Sequence, residues 1–224
     1  MTHGDRYGKR ARAAAAAAAL AACVALAPGF ARAGAQVEEQ LAPSVVAGLA
    51  RAIADNPAPA DYANNPRVRP WIMEMSRRLA AKLDDPRARE DFVATVHYEA
   101  TRAGLDPQLV LGVIHYESNF RKYAISTADA RGYMQVMPFW KRLIGSPDHN
   151  LFNLRTNLRY GCTILRFYLD RERGDLFRAL GRYNGSLGRP EYPTGVIGTM
   201  TRNWLYAPPN APKGALVPAA AALR

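Results

Sequence analysis

Between residues 67 and 207 apolar residues recur every three or four positions, the spacing of one buried face of an α-helix. Trp71, Ile72, Met75, Leu79 and Leu83 share one such face, and Phe92, Val93, Val96 and Ala100 share another. Asp106-Pro107 sets a capping carboxylate ahead of a proline at the first helical position, and Leu109, Val110, Val113 and Ile114 follow. Later segments run from Leu158 to Leu169, from Leu176 to Tyr183 behind a capping Asp175, and from Val196 to Trp204. No segment sustains the alternation of a strand and none repeats. The pattern predicts an all-α globule of roughly six to eight helices, with at most a small ribbon in a loop.

The flanks read differently. Basic Arg6, Lys9, Arg10 and Arg12 precede an alanine-dominated run from Ala13 to Ala27, and Ala31-Arg32-Ala33 and Ala33-Gly34-Ala35 offer cleavage sites. Residues 1–35 are therefore expected to be a signal peptide, because the apolar run is short of the ~20 residues a membrane span needs. Leu20-Ala21-Ala22-Cys23 competes as a lipobox, although apolar Val24-Ala25-Leu26 follows it. Membrane anchoring is expected only if Cys23 is lipidated. Residues 36–66 read as a linker that accommodates one short helix and ends in a proline-alanine spacer. Residues 67–207 are the expected domain, and 208–224 an expected disordered tail.

With 49% hydrophobic residues in 224, the chain can bury the core of one ordinary domain. Its formal charge is +11; the first 35 residues carry +4, five basic residues against Asp5, which leaves +7 on the rest. A basic surface suits an anionic polymer, but charge does not choose among nucleic acid, lipid and cell wall. The absence of a basic cluster interleaved with aromatics, together with the export signal, argues against nucleic acid. Cys162, the one cysteine beyond the signal, lies in an apolar helical pattern and suggests no cysteine chemistry. The four histidines lack ligand spacing, so no metal or other cofactor is expected, and His97 and His115 receive no role. Nothing in the sequence fixes the oligomeric state.

On the helix that begins at Asp106, Leu109, Val113 and Glu117 fall at i, i+4 and i+8, so a carboxylate sits on the stripe that packs inward. A lone acid in such a place is most often salt-bridged. The alternative is a carboxyl whose pKa is raised by desolvation, which can stay protonated near neutrality as a general acid must.

Three ordered motifs decide between them. Val113-Ile114-His115-Tyr116-Glu117-Ser118-Asn119-Phe120 is followed by Ser126, then by Gly132-Tyr133-Met134-Gln135-Val136-Met137-Pro138, then by Arg182-Tyr183-Asn184-Gly185. Over roughly residues 90 to 207 this resembles the catalytic domain of the soluble lytic transglycosylases (SLT), a lysozyme-like family of the α+β superfamily with little strand and a substrate cleft. Its pattern is a helix ending in Glu-Ser, a loop ending in Gly-Leu-Met-Gln-x-x-Pro, and a later Tyr-Asn.

The resemblance implies cleavage of peptidoglycan glycan strands in the periplasm or cell envelope, with Glu117 as the catalytic acid and base. It implies that Met134 and Gln135 line the glycan groove and that Ser126 hydrogen-bonds near the scissile sugar. Tyr183 would orient the Glu117 carboxyl, and Asn184 would contact the sugar or pin the loop. Two positions depart from the family: Tyr133 replaces a usual leucine, and Asp129 replaces a glycine that permits a tight turn. In the family's reaction the carboxyl protonates the bond between N-acetylmuramic acid and N-acetylglucosamine. Its carboxylate then takes the proton of the same sugar's C6 hydroxyl, leaving a 1,6-anhydro end. Two other readings stay open: a lysozyme-type hydrolase using Asp129 as second carboxylate, and a wall-binding scaffold without turnover.

Overall fold

The computed structural model describes residues 36–54 and 58–207. The predicted signal peptide with Cys23, and the predicted tail 208–224, lie outside the described residues. Eight α-helices occur among the described residues: α1 (Pro43–Ile53), α2 (Arg69–Arg78), α3 (Pro86–Arg102), α4 (Pro107–Ser118), α5 (Phe139–Ile144), α6 (Leu154–Arg171), α7 (Leu176–Asn184) and α8 (Glu191–Asn203). Short 3-10 turns stand at Tyr62–Asn64 and Leu79–Ala81. The only β pairing among the described residues is two isolated bridges, Ile125 with Arg131 and Arg131 with Val136, so this helical domain is all-α. None of these helices is long and apolar enough to cross a membrane.

Local chemistry starts the helices where it stands in the sequence. The side chains of Asp85, Asp106, Asn153 and Asp175 each accept a first-turn N–H, from Arg87, Gln108, Thr156 and Arg178 respectively. These bonds satisfy donors that the helix itself leaves open. Proline in the first turn of α1 to α4 fixes the backbone angle at no loss of a ladder bond.

Helix α4 is the interior element. Its residues from Leu109 to Ile114 are all buried, the signature of a helix enclosed on every side rather than laid on a surface. Each large apolar side chain buried there contributes about 1.5–3 kcal/mol, so the helix that carries Glu117 is held rigidly. It packs most extensively on α8, where a Cβ at Gly195 would collide with the ring of Tyr116. The missing side chain lets the two helices approach closely.

Glu99 on α3, fully buried, receives Arg159 of α6 at 2.5 and 2.9 Å and Arg102 at 3.2 Å. This ionic clasp joins α3 to α6 inside the core. Within residues 36–66, read from sequence as linker, α1 packs on α5 and α6, with Leu49 and Ile53 in the core. Gln36 is clamped as well: it accepts from Trp140 Nε1 at 2.8 Å and donates to the Tyr183 carbonyl.

Candidate active site

Glu117 occupies the last turn of α4, where the chain leaves the helix through Asn119 and Phe120, both at positive φ. Part of the residue stays open, but protein atoms crowd the carboxyl, and this desolvation pushes its pKa up to about 7. The negative end of the α4 dipole acts in the same direction. One hydrogen bond opposes it: Tyr192, buried in the first turn of α8, donates its hydroxyl to Glu117 Oε1 at 2.6 Å. Tyr116 meets the Tyr192 ring edge-on at 5.3 Å and fixes that donor in place.

The hydroxyl bonded to Glu117 is thus that of Tyr192, where that of Tyr183 was expected. The hydroxyl of Tyr183 donates instead to the Met134 carbonyl at 2.7 Å, which commits it to holding the loop 119–136 against α7. Tyr183 remains electrostatically close to Glu117, and burial raises the pKa of both tyrosines well above the ordinary value. Both stay neutral donors at physiological pH.

The loop 119–136 is tied down by side chains the motif supplies. Ser126 Oγ accepts from Ala128 N at 3.2 Å and Ala130 N at 3.1 Å, so it shapes the turn. Gln135, itself at positive φ, gives its amide to the carbonyls of Ala124 and Gly132 at 3.2 and 2.9 Å. The Met134 side chain is fully buried against α6 at Gly161 and fills the core, where a groove-lining place was expected. Asn184 is buried at the end of α7 beside Tyr183.

Asn157 of α6, which no motif marked, holds the same loop from below. Fully buried, it accepts from Met134 N and donates to the carbonyls of Arg131 and Leu151, each at 2.8 Å. Gly132 lies against it at φ +74°, and a Cβ there would strike both Asn157 and the Leu151 carbonyl.

The two departures are absorbed locally. Asp129 adopts φ +66°, a left-handed conformation that Asp tolerates. Its exposed carboxylate is gripped by Arg131, Nε and Nη2 each at 3.0 Å. Tyr133 packs edge-on against Phe92 at 5.0 Å. Cys162 is buried, which pushes its thiol far above the usual range. Among the described residues no three histidine, cysteine, aspartate or glutamate side chains come together as a metal site would need.

Residues 94–192 match the protein family described as Transglycosylase SLT domain. The chain is 41% identical over 67 residues to membrane-bound lytic murein transglycosylase C of Mannheimia succiniciproducens, which is 30% of this chain and 18% of that protein. It is 37% identical over 102 residues to the protein of the same name from Actinobacillus pleuropneumoniae serotype 5b, 42% of this chain and 28% of that one. The chain thus spans less than a third of these relatives' lengths. Among solved structures it is similar to an inactive mutant of lytic transglycosylase Slt from Pseudomonas aeruginosa, at 20% identity and a TM-score of 0.40 over 82% of this chain and 38% of that one.

Proposed function

Because residues 94–192 match the Transglycosylase SLT domain family, we propose that the protein is a peptidoglycan lytic transglycosylase of the cell envelope in which Glu117 is the single acid and base. The observation that carries this reading is the Glu117 carboxyl, raised to about 7 by desolvation and held by one tyrosine hydroxyl. At neutral pH such a group is half protonated, so it can give a proton and take one back with little energetic bias.

The chemistry follows from one carboxyl. Tyr192 occupies Oε1, which leaves Oε2 to carry the proton. That proton passes to the glycosidic oxygen as the bond from C1 of N-acetylmuramic acid breaks, releasing the N-acetylglucosamine hydroxyl. The acetamido oxygen of the same sugar stabilises the positive charge at C1. Glu117, now a carboxylate, removes the C6 hydroxyl proton, and O6 closes on C1. The acid is regenerated and no water is consumed. Intramolecular closure exploits an effective molarity worth up to about 7–11 kcal/mol in well-oriented cases, which removes the need for a second carboxylate to activate water. The bidentate grip of Arg131 on Asp129 is consistent with a reaction that does not use it as a base.

The test is the mass of the products from purified sacculi. Wild type should release fragments ending in 1,6-anhydro-N-acetylmuramic acid, one water lighter than hydrolytic products, and Glu117→Gln should bind sacculi but release none. Reducing ends from wild type would make the enzyme a hydrolase. Binding without product from wild type would make it a scaffold.

A further inference from the structure

Behind α4, on the face away from Glu117, lies a hollow. His115 precedes Glu117 by two residues, which at 3.6 residues per turn turns its side chain about 200° around the helix. It forms the floor of a pocket of about 540 Å³ with Trp204 and Leu205, walled by Arg77, Arg78, Lys82 and Arg202. The four cations come from three separate places in the chain: the end of α2, the residue that caps the following 3-10 turn, and the end of α8.

The charge in this pocket is only partly compensated. Arg77 and Arg78 share one carboxylate, Glu74, at 2.7–2.9 Å. Among the described residues Lys82 and Arg202 have no ion-pair partner. Like charges gathered at one concave site repel and lower stability, so the arrangement is unfavourable until an anion enters. The polar atoms in the wall are also incomplete. Trp204, only 3% exposed, has an Nε1–H with no hydrogen-bond partner, and the buried Nδ1 of His115 has none either. Unsatisfied buried polar groups are rare in folded proteins and call for an explanation.

The lining also selects among anions. Inorganic phosphate would use the guanidinium and ammonium groups but leave the imidazole, the indole and Leu205 without contact. A peptide carrying several carboxylates matches both halves: its carboxylates meet Lys82 and Arg202, because Arg77 and Arg78 are already bonded to Glu74 and to the carbonyls of Asn203 and Leu205, and its carbon chain lies on the aromatic floor. The volume fits a short peptide segment far better than a lone ion.

We infer that this pocket binds an acidic peptide segment; resting on the proposed function, its source is the carboxylate-bearing peptide branches of the wall polymer. It would hold a neighbouring strand on the back of α4 while the glycan occupies the Glu117 side.

Calorimetric titration of the whole protein tests the pocket. The probe is a synthetic tetrapeptide with free side-chain and terminal carboxylates, compared with its fully amidated form and with inorganic phosphate. The free acid should bind, and the amide should bind about tenfold more weakly or less, since charge-assisted bonds are lost. Phosphate should not displace the peptide. The double variant Lys82→Gln, Arg202→Gln, with an unchanged melting curve, should lose about tenfold or more in affinity. Equal binding by wild type and double variant, displacement by phosphate, or no binding would overturn the site.

The source is tested by turnover of intact sacculi against strands stripped of peptides by an amidase. The double variant should be slower than wild type on intact sacculi and equal to it on stripped strands. Equal rates on both would overturn the wall-peptide assignment. No turnover by wild type on either would sink the proposed function, and peptide binding in the calorimeter would still support the pocket.

Discussion

At the scale of single residues, Glu117 and Tyr192 form a pair with opposed effects. Desolvation favours the acid, and the hydroxyl of Tyr192 favours the carboxylate. The first proton transfer requires the acid, so turnover should hold at low pH and fall as pH rises through about 7. Tyr192→Phe removes the bond that stabilises the anion, so the Glu117 pKa should rise and the falling limb should move to higher pH. The carboxyl also loses its orientation, which should lower kcat by about tenfold or more. Tyr183→Phe should act otherwise. Its hydroxyl serves the Met134 carbonyl, so the change should cost about 1–3 kcal/mol of stability by leaving that carbonyl unsatisfied, with the pH limb in place. Rate profiles from pH 5 to 9 and melting curves of both variants separate the two roles. A pH limb displaced by Tyr183→Phe and not by Tyr192→Phe would exchange the assignments.

At the scale of elements, the clasp between α3 and α6 is the feature most exposed to one change. Glu99→Ala would strip the buried Arg159 guanidinium of its carboxylate, and breaking one side of a buried pair should destabilise by about 3–5 kcal/mol. Urea denaturation should show a lower midpoint at an unchanged slope; a loss below 1 kcal/mol would mean that the clasp is relaxed by water. Glu99 also shows where sequence reading stops. Helices α2 to α4 and α6 to α8 were legible because a period of 3.6 runs through each, and the caps at Asp106 and Asp175 were legible because they are local. The six residues of α5 are too few to show a period. Glu117 was legible as an acid on an apolar stripe, but its hydroxyl partner was not. Tyr192 lies 75 positions away in the first turn of another helix, with no spacing to connect them. Asn157 was hidden likewise, as one polar residue within an apolar helix whose partners all belong to a distant loop. The docking of α1 depends on Leu49 and Ile53 finding a surface that only the folded domain provides.

At the scale of the whole molecule, surplus positive charge and a neutral chemical step make separable demands. Many surface arginines are already paired, as Arg142 with Glu38, Arg171 with Glu39, and Arg178 and Arg182 with Glu172, yet residues 36–224 still carry +7. That surplus attracts an anionic wall over distances of the order of the Debye length, about 10 Å at 0.1 M salt and about 3 Å at 1 M. Proton transfer within the desolvated Glu117 site is shielded from that screening. Raising sodium chloride from about 50 mM to about 500 mM should therefore raise the apparent KM for sacculi several-fold while kcat stays nearly constant. The melting temperature should move little, because exposed ion pairs contribute only about 0–1 kcal/mol each. Binding of Glu117→Gln to sacculi should weaken with salt in parallel with the wild-type KM, since its charge difference lies away from the surface. A fall in kcat at constant KM would place the salt-sensitive step inside the site, and long-range attraction would then not be what brings enzyme and wall together.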